Sequence, residues 1–485
     1  MQQIEEYPHP PVWDLYREAK AAKEAQDWPL MLRTLSQLAQ ADPAQRQSPR
    51  LGNAVGWLIH YAGKFYLSLS PPDPQSVLTL LSLARAFVYE ATARPSAYAM
   101  LLRLALKTRK QNPDFLAFMA WWDLAQLQAE DYERYTPPGG QSLPALAEQA
   151  LLGIGKHLLA GYTEAGQLPQ GSYDQAAMAR YIDTLGAHIA ARPDYEFLPY
   201  VRAQLYLALN QPEAALTDLR PFVRKHVQQP WAWDWLGRAY HRLGQGEAAR
   251  ACLARALSAR APEAVTVLTR ERYGRLCLAD GDLAEAKAAF ERVAEVRWRE
   301  WGKLPQRLQA VMEAPWYAET AAALPAAQQL STWAAKAQRF LQEDLPEELA
   351  VVTAVHPGKQ LAWFRLDRER SGNLRGSMLS ASVRPGDRLR LRVQARQGQE
   401  EVWYEALSAR LTDEPAPSGL SQSLRGRLMR VPGQAFGFVA NEAFVPPPLM
   451  TAHQAQVGQV VQALTIAEYD RKRKRWGWQV LRIEE

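Results

Sequence analysis

Cysteine is nearly missing: only Cys252 and Cys277 occur in 485 residues. Two thiols allow neither a disulfide framework nor a four-cysteine metal site, and both lie in helical contexts, where they read as buried side chains. The eight histidines are scattered, with no His-Glu-x-x-His pair and no Cys/His cluster at zinc spacing. His157, His188 and His241 therefore read as helix-surface or hydrogen-bonded residues, and neither a metal nor a cofactor is expected. A complete phosphate loop is also lacking. Gly153-Ile154-Gly155-Lys156 falls inside a helical pattern, without the full spacing or a following Ser or Thr. No serine sits in a nucleophile elbow, and paired carboxylates such as Glu347-Glu348 lie in a connecting segment. These absences point away from an enzyme. There is no run of about 18 apolar residues, and the opening MQQIEEYPHPPVW has no basic segment followed by an apolar core. A cytoplasmic protein without membrane contact is the expectation.

What is present is ordinary in amount and uneven in place. Apolar residues at 47% and charged residues at 22% describe a soluble chain, too long for a single core. Of the net charge of +6, residues 349–413 hold 11 basic against 7 acidic side chains and residues 423–485 hold 9 against 5. The remainder is slightly negative, so attraction to a polyanion belongs to the C-terminal third.

The first part of the chain reads as stacked antiparallel helices. Leu15, Ala19 and Ala22 recur at helical spacing, Gln26-Asp27 interrupts, and Met31, Leu35 and Leu38 resume until Asp42-Pro43. Residues 54–69, 77–92, 97–110 and 114–128 each carry an apolar face of period 3.6, with Trp121-Trp122 expected in the core. Ser142 is placed to cap a helix through Leu146, Ala150 and Ile154. Further on, Trp233, Leu236, Gly237 and Tyr240 share one helix, Gly244 turns the chain, and Ala249, Leu253 and Ala256 line the next. Gly237 and Ala249 allow close approach, while Trp233 and Tyr240 fill the neighbouring space. Registered copies fall 34 residues earlier (Ala203, Tyr206, Asn210, Ala215, Leu219) and 37 later (Gly274, Gly281, Ala286, Phe290). This pattern resembles the tetratricopeptide repeat (TPR), which implies a solenoid whose surface holds protein partners. The helices after Val293 and up to Phe340 are expected to cap it.

From Ser423 to Glu485 the periodicity changes to two. Gly426, Arg427 and Leu428 open a strand, Pro432-Gly433 turns, and Phe436-Gly437-Phe438-Val439 puts Phe436 and Phe438 on one face. Ala443-Phe444-Val445 adds a third ring on the neighbouring strand. Three flat rings on one sheet face make a stacking platform for unpaired bases. The run Arg471-Lys472-Arg473-Lys474-Arg475, bracketed by Tyr469, Trp476 and Trp478, reads as a basic hairpin tip able to track phosphates; a solvated tip that only blunts a sheet edge fits the same residues. The glycine-aromatic strand, the second aromatic strand and the Gly458-Gln459 opening of a fourth strand resemble a cold-shock-type OB-fold across nearly the whole module. Gln434 and Ala435 stand where that family usually has Lys and Gly, and Pro446 where a stacking His is common.

A diverged second copy precedes it. Gly386-Asp387-Arg388-Leu389-Arg390-Leu391-Arg392-Val393 aligns with the strand beginning at Gly458 at an offset of 72, which also carries Leu411 onto Ile483. Val351 to Val355, the turn His356-Pro357-Gly358-Lys359 and Leu361-Ala362-Trp363-Phe364 parallel the opening of the later module. Trp363 either stacks a base or packs against its neighbours.

The expected architecture is multidomain: an all-α TPR-like helical solenoid followed by two small all-β, cold-shock-like OB-fold barrels. Residues 1–195 form irregular TPR-like repeats and 196–345 regular repeats with capping helices. Residues 348–413 form the first barrel, 414–422 a linker and 423–485 the second barrel. The expected role is a non-enzymatic adaptor, with protein partners on the solenoid and single-stranded RNA, or DNA, on Phe436, Phe438, Phe444, Arg471, Lys472, Arg473, Lys474, Arg475, Trp476 and Trp363. Such a layout is similar to chains of prokaryotic stress or defence systems. The rival expectation is a scaffold whose barrels dock a protein. A third is an effector component whose grip on an enzyme responds to nucleic acid.

Overall fold

A computed structural model of the protein describes residues 11–90, 96–136, 140, 142–160, 174–321, 326–375, 378–379, 382–397, 402–470 and 474–484. They fall into two compact units, Met1–Ala337 and Gln338–Glu485. The first is all α. Its opening hairpin pairs Pro11–Glu24 with Trp28–Gln40, burying Val12, Ala19, Ala22, Met31, Leu35 and Leu38. Asp27 caps the second helix by accepting from the Leu30 amide at 3.0 Å. Trp122 is 1% exposed, stacks on Tyr98 at 4.4 Å and donates its indole N–H to the Tyr98 carbonyl at 3.0 Å, so this tryptophan builds core.

Four expected helices end or begin elsewhere, and the pattern at 54–69 yields Pro49–Ser68. The pattern at 77–92 yields Pro74–Ala84, because the next amides bond three residues back, Ala86 to Leu83 and Phe87 to Ala84, and Phe87 turns into the core. The pattern at 114–128 yields Phe115–Trp122, closed where Asp123 takes a φ of 61°. Ser142 is no cap: the helix Leu146–Leu158 starts after Ala145, without a side-chain cap.

The regular hairpins are Leu198–Ala208 with Pro212–Lys225, Pro230–Arg242 with Gly246–Leu257, and Glu263–Ala279 with Leu283–Trp301. Their turns confirm the sequence register, since Asn210, Gly244 and Gly281 take φ values of 57°, 72° and 80°. Glycine and asparagine are the residues that tolerate this left-handed geometry best. A Cβ on Gly237 would lie 3.0 Å from Leu253 Cγ, while Trp233 and Tyr240 are fully buried. The last repeat helix continues past Val293 to Trp301, where Gly302 closes it at a φ of 62°. Buried Glu271 ties this repeat to the next helix: Arg275 and Arg307 meet it at 3.0 Å and Arg297 at 3.8 Å. Both cysteines are buried, and burial pushes the Cys277 thiol up to about 12. Among the described residues no helix is long and apolar enough to cross a membrane.

Glu148 is the least comfortable charge in this unit. It is fully buried, neither carboxylate oxygen has a hydrogen bond among the described residues, and Arg134 stands 3.6 Å away. Burial, opposed by Arg134, raises its pKa above the ordinary glutamate value. As pH rises the unfolded chain therefore loses this proton first. The stability linked to the group is present below the ordinary glutamate range and is lost as pH climbs through the folded value. Glu148→Gln is expected to raise the melting temperature by a few degrees near pH 8 and to match the parent near pH 4, measured by thermal denaturation across pH.

The second unit holds two closed barrels. Strands β1 (Glu348–His356), β2 (Leu361–Arg365), β3 (Ser371–Arg375), β4 (Arg388–Gln397) and β5 (Val402–Leu411) close in the order β1-β2-β3-β5-β4. Strands β6 (Ser421–Arg430), β7 (Gly437–Val439), β8 (Ala443–Val445), β9 (Val460–Asp470) and β10 (Arg475–Glu484) close in the matching order β6-β7-β8-β10-β9. Both are OB-folds, closed by one parallel pair, β3 with β5 and β8 with β10. Ala350, Val352, Phe364, Leu374, Leu389 and Leu391 fill the first barrel; Leu428, Val439, Val445, Val461, Ala463 and Ile483 fill the second.

The single offset between the two copies needs correction. Leu391 pairs with Ala409 and Ala463 with Ile483, so an offset of 72 on the fourth strand becomes 74 on the fifth. Leu411, matched to Ile483 by the gapless offset, is 44% exposed, whereas Ile483 is 7% exposed. The hairpin between the last two strands is two residues longer in the second barrel, which a comparison of strand openings alone does not detect.

The barrels are fixed to each other. Val351, Leu420, Ile466 and Leu481 share one buried cluster. Arg365 donates to the Ala467 carbonyl at 2.7 Å and pairs with Glu468 at 2.9 Å, and Arg482 meets Asp387 at 3.1 Å. The connecting segment is held rather than slack, because Glu414 accepts from Arg390 at 2.8 Å and Leu420 is in that cluster.

Candidate nucleic-acid interface

In β7 and β8 the inward residues are Gly437, Val439, Ala443 and Val445, all buried, and the alternate positions turn Phe438 and Phe444 outward, half-buried. They are cross-strand partners. Phe436, just before β7, joins them from the same side, with ring centroids 5.5 Å from Phe444 and 6.1 Å from Phe438; Phe438 and Phe444 are 6.0 Å apart. The three sequence-predicted phenylalanines thus form one cluster on the outer face of the second barrel.

Local backbone geometry holds this cluster in place. A Cβ on Gly437 would lie 2.3 Å from the Met429 carbonyl oxygen and 2.7 Å from Met450 Sδ, so only glycine lets β7 lie this close to β6. Ala440 and Asn441 both take positive φ, 55° and 60°, and the Glu442 amide bonds the Val439 carbonyl at 3.1 Å. The turn spans three residues, Ala440 to Glu442, between the paired Val439 and Ala443, and this register sets Phe438 opposite Phe444.

The neighbouring strand supplies positive charge. Met429 pairs with Phe438, so alternation places Arg425 and Arg427 on the same outer face of β6, where both are exposed. These arginines went unread as a site, although the period-two pattern in SLRGRLMR contains the signal. The predicted basic tip is described only in part: Arg471, Lys472 and Arg473 lie outside the described residues. Lys474, at a φ of 52°, and Arg475 are exposed.

Trp476 is not brought to the phenylalanines. It meets Tyr469 edge-on at 5.5 Å and lies under Arg368 and Arg365 of the first barrel, at 5.3 and 5.9 Å. Trp478 faces inward against the second core. Trp363 stands outward on β2, 38% exposed, and pairs with Asn373 on β3. Because the barrels share one topology, Trp363 occupies the place of Phe438, and Asn373 that of Phe444. Gln434 and Ala435 are exposed in the β6–β7 loop, while Pro446 precedes the helix Pro447–Ala452.

Residues 196–337 match a domain of unknown function, DUF7017. Residues 422–483 match S1/CSD-like domain 2 of the TOTE conflict systems. No curated protein matches the chain. Among solved structures the chain is similar to a monomeric mutant of IFIT1 with m7Gppp-AAAA, at 12% identity over 68% of this chain and 71% of that one, with a TM-score of 0.29. It is also similar to the Assembly Chaperone of RpL4 (Acl4), at 14% identity over 67% of this chain and 99% of that one, with a TM-score of 0.23.

Proposed function

We propose that the chain is a non-enzymatic adaptor whose helical repeats hold a protein partner and whose second barrel binds single-stranded nucleic acid, RNA ahead of DNA. One observation carries the nucleic-acid half: three phenylalanine rings gathered on the outer face of a barrel, beside exposed Arg425 and Arg427. Rings stack unpaired bases, and guanidinium groups follow the backbone. The match of residues 422–483 to an S1/CSD-like domain supports a binding role, and the conflict systems in that family's name support a defence setting. The stacked repeats offer the extended surface on which a peptide or helix docks.

The rival reading, a scaffold whose barrels dock protein only, is favoured by Pro446 in the place of a stacking residue. Salt dependence separates the two. In anisotropy titrations with a labelled single-stranded oligoribonucleotide, about two phosphate contacts give a slope of log K against log salt of about −1 to −2. Binding that is absent at low salt, or flat with salt, would sink the nucleic-acid reading.

A further inference from the structure

We propose that the cleft between the two barrels continues the phenylalanine platform, so that one single strand runs from Phe436, Phe438 and Phe444 to Trp363 and Trp403. The inference rests on the platform reading and extends it to the first barrel.

Strand register supplies the first part of the path. Cross-strand partners share a face, so the pairs Met429 with Phe438, Phe438 with Phe444, and Phe444 with Gln479 make one outer surface across β6, β7, β8 and β10. Next along β10 on that face is Gly477, where an added Cβ would meet nothing within 4 Å. The surface leading from Phe444 is therefore unobstructed there.

The cleft supplies the second part. Gln479 and Glu468 form the second barrel's wall of a space of about 480 Å³, and Trp363, Ser371, Asn373 and Trp403 stand on the first barrel's wall. Trp363 and Trp403 are 38% and 39% exposed and neither belongs to the barrel core. Trp363 pairs with Asn373. The β3–β5 register of Gly372 with Tyr404 and Asn373 with Glu405 puts Trp403 beside Ser371 on the same face. Two indoles offer flat walls to bases, and the Asn373, Ser371 and Gln479 side chains offer donors and acceptors to base edges. The carboxylate of Glu468, which lines this wall, is neutralised by Arg365 at 2.9 Å. Because Val351, Leu420, Ile466 and Leu481 lock the barrels together, the two walls are set before a ligand arrives.

Length dependence provides the test. A single strand of about four nucleotides is covered by the platform alone, whereas one of about ten reaches the cleft. In the full chain, Trp363→Ala combined with Trp403→Ala is expected to weaken the ten-mer about tenfold and leave the four-mer unchanged, while Phe438→Ala weakens both. A ten-mer that binds the double tryptophan variant as tightly as the parent, with the Phe438 dependence intact, overturns the cleft and leaves the platform standing. So does a variant that keeps the ten-mer but sheds a co-purified protein, since the cleft then belongs to that protein. Failure of both lengths to depend on Phe438 overturns cleft and platform together. A second measurement needs no variant: a photoreactive ten-mer on the parent chain is expected to crosslink to Trp363 or Trp403 as well as to the phenylalanines, and crosslinks confined to the second barrel overturn the path.

Discussion

Replacing Phe436 and Phe438 by alanine is expected to lower the affinity of the full chain for single-stranded RNA by about a hundredfold, with a melting temperature within a few degrees of the parent. Stacking on an aromatic side chain contributes about 1–3 kcal/mol per base, and two rings lost together remove about 3 kcal/mol, which is the hundredfold. The fold should survive, because both rings lie on the outer face and the barrel is filled by Leu428, Val439, Val445 and Ile483 instead. Arg425 and Arg427 remain, so residual binding should keep its salt sensitivity. Affinity unchanged in a variant with the parent's circular dichroism would show that bases do not stack here.

Gly372→Ala is the larger structural lesion. A methyl at this position would lie 1.8 Å from the Tyr404 carbonyl oxygen and 2.7 Å from its carbonyl carbon, with Phe364 Cζ at 2.8 Å. The first two atoms are backbone of β5, so relief requires β3 and β5 to part, and their parallel pairing is what closes the first barrel. Overpacking of a core commonly costs 1–3 kcal/mol when side chains can move; here the cost is expected at about 3 kcal/mol or more, read as a lower denaturation midpoint. The second barrel shows why the position is not glycine by topology alone. Its equivalent, Ala443, pairs with Trp478 in the same parallel ladder and carries its methyl fully buried. A Gly372→Ala chain as stable as the parent would contradict the close approach of β3 and β5.

Much of this was legible in the chain because local rules and the fold agree. The repeat register survived because Asn210, Gly244 and Gly281 sit where each hairpin needs left-handed backbone. The three phenylalanines were legible because period-two alternation fixes which side chains share a sheet face. Other features depend on contacts that periodicity does not encode. Helix ends at Ala84 and Trp122 are set, in that order, by an aromatic drawn into the core and by a capping geometry, not by the apolar pattern. Trp476 was grouped with the platform because it is near in sequence, but its partners Arg365 and Arg368 come from the other barrel. Trp403 went unread for a different reason: an alternating strand residue has a face only once the barrel says which side is inside.

The most direct test of the proposed nucleic-acid binding is photocrosslinking of the intact chain to a single-stranded oligoribonucleotide, followed by identification of the crosslinked peptides. The account predicts adducts on the β7–β8 hairpin, at Phe436, Phe438 or Phe444. Adducts confined to residues 11–337, with none between 421 and 484, would contradict it.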